Sequence, residues 1–400
     1  MIAPLFLNDC GIVSPLGRGR PATAAALAAG RRDGLIPRDD LLPDRTVCVG
    51  AVTGDLPAPP RALAGLDSRN NRLMLVALTE IAQSIEAAAA RYGRHRIAVV
   101  LGTSTSGIAE GEAALDQFRA TGAWPETYHY RQQETGSLAE FAARALGLTG
   151  PAYTVATACS SSVKVFASAR RLIRAGLADA AVIGGADTLC RMTLNGFGAL
   201  QALSHGPCNP FSANRDGITI GEGAAAFLLS AEPEPGPVQL LGVGETSDAH
   251  HPTAPDPAGG GARLAMSQAL DDADLVAADI DYINLHGTAT PLNDAMESRA
   301  VAGLFDPGTP CSSTKGMTGH MLGGTGGCEA AFLWLTLNPA TGTGMLPPHL
   351  WDGVLDPALP PLNLIGPGAP VPDRARLAML SNSFGFGGSN VSVILGRGWS

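Results

Sequence analysis

The chain has no run of about 18 consecutive apolar residues, and therefore no stretch that reads as a membrane-spanning helix. It is also poor in charge: 16% of its 400 residues are Asp, Glu, Lys or Arg, with a formal net charge of −9. That balance excludes general nucleic-acid binding and leaves an acidic partner only a local basic patch to dock on. Candidates for such a patch stand in "SRNNR" (Arg69, Arg72) and at Arg170, Arg171 and Arg174, groups that serve equally well as a solvated helix face. The seven cysteines, at 10, 48, 159, 190, 208, 311 and 328, include no CxxC pair, and their number is odd. Neither a disulfide framework nor a zinc ribbon is indicated, and a reducing, cytoplasmic setting fits best. The first residues, "MIAPLFLNDCGIVSPLG", lack a basic n-region, and Asp9 interrupts their apolar run, so they read as a strand and turn and not as a signal peptide.

What is present is a composition for a large core: 45% hydrophobic residues, in one big domain or two fused ones. The 50 glycines and 30 prolines follow no period, which points to tight turns and close backbone approaches. Short apolar runs, "RIAVVLG" (96–102), "DAAVIGG" (179–185) and "AAAFLLS" (224–230), alternate with amphipathic stretches at 73–90, 137–147 and 162–175. This alternation predicts an α/β protein with covered sheets. The proline-rich segment 230–245 reads as a connection into a second half, where "YINLHG" (282–287), "LAMLSNS" (377–383) and "VSVILG" (391–396) are strand-like. Both halves place a loop-to-helix junction at corresponding points, a hint of internal duplication without a literal repeat.

Cys159, in "TVATACSSSVKVFASARRLIRAG", falls where a loop becomes a helix. Unpaired N–H groups at a helix start favour a thiolate, although a small buried hydrophobe is the plainer reading of a cysteine. Three further segments carry chemistry. His286 follows a strand in "LHGTATPLNDAMES"; Lys315, His320 and Glu329 stand among six glycines in "SSTKGMTGHMLGGTGGCE"; Phe384 and Phe386 alternate with glycines in "SNSFGFGGSNVSVIL". Each also has a structural reading: a satisfied histidine, a flexible loop with an ion pair, a turn with packed aromatics. Together they supply a nucleophile, two histidines and backbone donors, a set suited to thioester chemistry in which negative charge develops on an oxygen. Zinc fits poorly, because the ligand types lack the close spacings of metal sites.

These segments resemble the β-ketoacyl-acyl-carrier-protein synthases, decarboxylating condensing enzymes of the thiolase-fold superfamily. The resemblance runs through "GIVSPLG" (11–17), "TACSSS" (157–162), "PFSANRDGITIGEGAAAFLL" (210–229), "SDAHHPTAPDP" (247–257), "HGTATPLND" (286–294), "TKGMTGHMLGGTGG" (314–327) and "NSFGFGGSN" (382–390). It implies a thiolase fold, with two similar halves forming a five-layered α-β-α-β-α sandwich. Residues 1–235 would carry the nucleophile and residues 236–400 the two histidines. It implies Cys159 as the residue that takes an acyl group from a carrier-protein thioester, with an oxyanion hole made by its own N–H and that of Phe386, which doubles as a gate. His286 and His320 would hold the enolate left by decarboxylation of malonyl-carrier protein. Lys315 and Glu329 would order His320, and Thr288 and Thr290 would bind the phosphopantetheine arm. Thr105 and Phe384 would line the acyl pocket, and Arg69 and Arg72 would dock the acyl carrier protein. No metal or redox cofactor is implied. A homodimer or a heterodimer with a related subunit is expected, joined through a strand at about residues 150–158.

Two segments depart from the family's usual pattern, the polar "TSTS" at 103–106 and "WPETYHYRQQETGS" at 124–137. They suggest an aryl, polyene or polyketide primer in place of a growing saturated chain. Two rivals remain: a noncatalytic partner subunit, which typically lacks the cysteine present here, and a degradative thiolase, which uses a second cysteine where this chain has His320. An active subunit that needs a noncatalytic partner is the alternative closest to the favoured reading.

Overall fold

The computed structural model describes residues 4–234 and 238–399, so the boundary expected between 235 and 236 lies outside the described residues. The strands of the first half are β1 (Leu5–Ser14), β2 (Gly17–Arg18), β3 (Leu35–Arg38), β4 (Val47–Gly50), β5 (Ile97–Gly102), β6 (Ala152–Val155), β7 (Ala180–Asp187), β8 (Ile220–Gly221) and β9 (Gly223–Ser230). Those of the second are β10 (Val238–Ser247), β11 (Tyr282–Asn284), β12 (Pro310–Ser312), β13 (Asn363–Leu364), β14 (Leu377–Gly385) and β15 (Ser389–Arg397).

Two sets of five strands repeat one topology. The first is ordered β1-β9-β7-β5-β6 and the second β10-β15-β14-β11-β12. Numbered in chain order within each set, both read 1-5-4-2-3. In both, the second strand runs parallel to the third and fourth, and the fifth runs antiparallel to its neighbours. A short antiparallel contact, Leu5–Leu7 against Val238–Leu240, joins the two sets. The duplication hinted at by the two loop-to-helix junctions is therefore a property of the fold.

The layers follow from which faces are apolar. β5, β7 and β9 are buried along their whole length, as strands covered on both sides must be. Between the two sets lie the helices Ser161–Arg174 and Thr325–Leu337, which touch each other and pack on β5, β7, β9, β1 and β14. Thr325–Leu337 is buried all round, as its near-continuous apolar sequence requires. Arg69–Glu80 and Ser137–Ala145 cover the outer face of the first set, and Gly260–Ala273 covers that of the second. One apolar cluster fills the middle and two others fill the outer interfaces. This is the expected five-layered sandwich.

Two local expectations change. The helix read at 73–90 is two helices, Arg69–Glu80 and Ala82–Tyr92, bent by 71°. Ile81, at the break, is fully buried, while Glu80 turns back to accept the N–H groups of Ile12 and Arg20. The segment read as a connection at 230–245 includes most of β10, which is buried from Val238 to Gly244 except at half-buried Leu241. Among the described residues no single helix is long and apolar enough to cross a membrane.

The start of Ser161–Arg174 is fixed by β5. A Cβ on Gly102 would lie 2.4 Å from the backbone of Ser161 and Ser162. Gly102→Ala should therefore push this helix off the sheet and lower the unfolding free energy by about 1–3 kcal/mol, the usual range for overpacking; a urea midpoint within error of the unaltered chain would refute the contact.

Candidate active site

Cys159 stands on a turn that only a constrained backbone permits. Ala158 before it has φ of +51°, in the left-handed region, and the helix Ser161–Arg174 begins two residues after it. The Ser161 hydroxyl donates to the Ala158 carbonyl at 2.6 Å and accepts the Thr157 N–H at 2.9 Å, which holds the turn. A non-glycine residue at such a φ is a local strain of the kind that collects at reacting centres. The backbone N–H groups of Cys159 and Phe386 both favour negative charge on the sulfur. They are the pair expected to form the oxyanion hole.

His320 comes from the other half, and its backbone is held by the first. Its N–H donates to the Thr219 carbonyl at 2.6 Å and its carbonyl accepts from Gly221 at 2.8 Å, so it bridges to β8. This fixes the ring with Nε2 3.0 Å from Cys159 Sγ and Nδ1 2.8 Å from the Thr325 hydroxyl. His286, just beyond β11, lies with its ring centroid 5.3 Å from that of His320. Its loop is pinned from below, because Glu297 accepts the N–H groups of His286 and Gly287, each at 2.7 Å. One turn earlier Asp294 accepts those of Phe211 and Ala289. Neither carboxylate was singled out in the sequence. The signal was there, in an acidic pair three apart just after a proline that opens a helix.

Lys315 and Glu329 are wholly buried and paired, Nζ to Oε1 at 2.6 Å. This supports the expected ion pair, and its charge acts on the whole site. Burial, followed by the Lys315 charge, lowers the proton affinity of both His286 and His320, so both rings are neutral. Burial raises Glu297 and Glu329 to about 7 and Asp294 to about 6. It also pushes the Cys159 thiol up to about 11, against the pull of Lys315 and of the Phe386 amide. The sequence reading of a thiolate favoured by the helix start is thus reversed by burial. Cys159 rests as a thiol, with neutral His320 placed to take its proton.

Cys159, His286 and His320 line a cavity of about 280 Å³ together with Thr288, Thr290, Phe384 and Phe386. The two threonine hydroxyls are 3.0 Å apart on its wall. Phe384 packs edge-on against His286, with centroids 5.9 Å apart, while Phe386 is 38% exposed at the rim beside Phe197. Of the two aromatics Phe384 is buried, so the expectation of a gate rests on Phe386 alone. The donor atoms of Cys159, His286 and His320 lie within 4.8 Å of one another. The Lys315 charge that depresses both histidines opposes a divalent cation there as well.

Three expected site residues lie elsewhere. Thr105 is fully buried and outside the lining of this cavity, with its hydroxyl 2.9 Å from Asp187. The hydroxyls of Thr103 and Ser104 bind the same carboxylate and that of Ser106 donates to the Glu134 carbonyl, so the polarity of "TSTS" answers to Asp187 and to the 132–137 segment. Arg69 grips buried Glu222 with two nitrogens, Nε at 2.8 Å from Oε2, and Arg72 grips Asp67 at 2.6 Å with each of two. Both line an open groove separate from Cys159, and their charges are already matched.

Residues 59–234 match the family described as "Beta-ketoacyl synthase, N-terminal domain", and residues 238–350 match its "C-terminal domain". A chain of the complex of a ketosynthase with its chain length factor from Xenorhabdus doucetiae superposes with a TM-score of 0.93 at 46% identity, covering 99% of this chain and 98% of that one. The ishigamide ketosynthase/chain length factor gives 0.86 at 28% identity, covering 99% of each chain. A 3-oxoacyl-[acyl-carrier-protein] synthase 2 of Staphylococcus aureus is 35% identical over 268 residues, 62% of this chain and 64% of that protein. The aligned part is therefore under two thirds of that relative's length.

Alkylation of Cys159 by iodoacetamide, read by intact mass, should accelerate with pH towards about 11; an inflection below about 8 would restore the thiolate reading. Lys315→Met should lower the unfolding free energy by about 3–5 kcal/mol by stranding Glu329, and adding Glu329→Gln should recover most of it. Equal losses in the single and double variants would show that the pair is not the cause.

Proposed function

Because the chain belongs to the β-ketoacyl synthase family, we propose that it is a 3-oxoacyl-[acyl-carrier-protein] synthase, an acyltransferase that joins an acyl group to malonyl-acyl-carrier protein with loss of carbon dioxide. The observation that carries this reading is Cys159 Sγ at 3.0 Å from His320 Nε2, with His286 beside both and two backbone N–H groups that favour negative charge on the sulfur. A hydrolase needs one histidine; the second suits a reaction in which an enolate oxygen must be held.

The steps follow from the geometry. As the acyl thioester enters past Phe386, the Cys159 proton passes to His320 and the sulfur attacks the carbonyl. Negative charge on that oxygen meets the N–H groups of Cys159 and Phe386, and the carrier-protein thiol leaves with a proton. Malonyl-carrier protein then enters along Thr288 and Thr290, whose hydroxyls suit the phosphopantetheine arm. Decarboxylation moves the C–C bond pair into the enolate, whose oxygen is held by N–H donors on His286 and His320. The enolate carbon attacks the acyl carbonyl, the C–S bond breaks with its electron pair going to sulfur, 3-oxoacyl-carrier protein is released, and the Cys159 thiolate takes one proton from solvent to restore the resting thiol. Both rings reach this step neutral, and each donates a hydrogen bond without giving up a proton once His320 carries its hydrogen on Nε2, the tautomer in which Nδ1 accepts from the Thr325 hydroxyl. These steps call on no metal or redox cofactor.

A second reading is supported by the sheet edge and by the relatives. β6 ends the sheet with Ala152 and Tyr153 exposed, an unpaired edge of the kind that another subunit covers. Two similar structures are of a ketosynthase with a chain length factor. We infer that β6 joins this chain to a second copy or to a related noncatalytic subunit. The seven free cysteines support a reducing cytoplasmic setting for the pair. The products serve fatty acid synthesis or a specialised aryl-polyene or polyketide route.

Cys159→Ala should abolish acyl loading from carrier-protein thioesters, read by intact mass. His286→Ala should slow condensation about a hundredfold, close to 3 kcal/mol, while loading stays within a few-fold. His320→Ala should slow both steps, because its ring also meets the thiol. Loading by Cys159→Ala, or equal loss of both steps in His286→Ala, would sink these assignments.

A further inference from the structure

We propose that Asp187 is the positioning residue that sets His320 against Cys159, an inference that rests on the condensing reaction assigned above. Asp187 ends β7, is fully buried and does not itself line the catalytic cavity. Six donors converge on its carboxylate: the Thr103 hydroxyl at 2.6 Å, the Ser104 N–H at 2.8 Å and its hydroxyl, the Thr105 N–H at 2.8 Å and its hydroxyl at 2.9 Å, and the Gly323 N–H at 2.6 Å. A carboxylate offers about four lone-pair sites, so this one is saturated. A structural anchor for one loop needs fewer donors, and the Gly323 contact shows what the excess does.

Gly323 lies three residues after His320, in the middle of an arc whose ends are already fixed. At one end the His320 backbone bridges to β8, and at the other the Thr325 hydroxyl holds His320 Nδ1. Between them Leu322 has φ of +48°, a left-handed conformation that a bulky residue keeps only when its surroundings enforce it. The Asp187–Gly323 hydrogen bond is that enforcement. The fit is tight on three sides: a Cβ on Gly323 would lie 2.8 Å from Asp187 Oδ2, 2.9 Å from Ser104 N and 3.1 Å from the Ala158 carbonyl. Ala158 immediately precedes the nucleophile. One carboxylate therefore ties the 103–105 loop and the His320 arc together at the point where the arc meets the Cys159 turn. Its charge also bears on the sulfur from outside the cavity, alongside Lys315, and opposes thiolate formation. His320 and His286 are the other titratable groups facing that sulfur.

Asp187→Asn keeps the size and removes the charge, and its amide turns an N–H towards the donors. Gly323→Ala keeps the charge and displaces the arc. In both, malonyl-dependent condensation per loadable Cys159 should fall about ten- to a hundredfold, as loss of a supporting partner usually does, while KM for the acyl-carrier protein stays within about twofold of the wild type. The two should separate in the pH profile of iodoacetamide alkylation: Asp187→Asn moves the inflection to lower pH, and Gly323→Ala leaves it in place. Condensation within twofold of the wild type in either variant overturns the proposal, and Gly323→Ala decides it where Asp187→Asn fails to fold. A loss that equals the fall in loadable protein, with an unmoved alkylation profile in Asp187→Asn, makes the residue a structural anchor only and also overturns it. A wild-type chain that alkylates but loads no acyl group counts against the condensing reaction, and the alkylation shift in Asp187→Asn is read independently of it.

Discussion

Glycines pack against the start of the helix Ser161–Arg174 so closely that a Cβ would force most of them apart, and the site depends on that approach. β5 supplies Gly102 against Ser161, and β7 supplies Gly185, where a Cβ would lie 2.7 Å from that of Ser162. From the second half, Gly326 would place one 2.1 Å from Val163 Cγ2, and Gly385 would place one 3.2 Å from Cys159 N. Elements from both halves therefore converge on the five consecutive residues 159–163. Only a glycine at each contact brings the Phe386 amide and the His320 ring to the same sulfur. The turn at Ala158 is the strain that results, and the packing around it holds the strain in place.

That close packing buries the charged groups of the site, and its electrostatics follow. Lys315, Glu329, Glu297, Asp294 and Asp187 all lie at full burial within or beneath it. Unpaired, any of them would be prohibitive, yet each is bound to a counter-charge or to several N–H groups. The outcome is a site whose histidines are neutral donors and whose sulfur is a resting thiol. Such fixed donors stabilise charge as it appears on substrate oxygen without reorganising. Lys315 supports this at a distance: its ammonium faces Glu329 while its field lowers both histidines.

Much of this was legible in the sequence, where chemistry and spacing coincide. Cys159, His286, His320, Lys315 and Glu329 each sit in a glycine- or serine-rich segment after an apolar run, and the structure brings all five together. The strands at 97–102, 180–187 and 223–230 were legible for the same reason: continuous burial leaves a continuous apolar run. What failed had a physical cause in each instance. The break at Ile81 is made by Glu80 reaching β1, a long-range contact that helical periodicity cannot register. Arg69 looked like a surface charge because Glu222, its partner, is 153 residues away. Thr105 looked like a pocket wall because Asp187, which takes its hydroxyl, lies in a different strand. Burial of Cys159 is likewise a property of the assembled layers, and so its effect on the thiol could not be read from the helix start alone.

The duplicated topology explains why an anion is best stabilised at this place. Asp187 and Phe384 lie at the C-terminal ends of β7 and β14, while Cys159, His286 and Lys315 follow β6, β11 and β12, so the site gathers the C-terminal ends of strands that run parallel within each half. Where such strands end, helices begin. The N-terminus of Ser161–Arg174 follows Cys159, that of Thr325–Leu337 lies at the hydroxyl holding His320, and that of Pro291–Ala302 follows Thr290 on the cavity wall. Each carries partial positive charge from unpaired N–H groups, and each falls off within about one turn, so only groups at the very start of a helix feel it. A single half offers one buried helix start at its centre. Two halves packed back to back bring two such starts together and add the flanking third, which is why the nucleophile can come from one half and both histidines from the other. Oxygen bearing negative charge is favoured there by the backbone itself, before any side chain is counted.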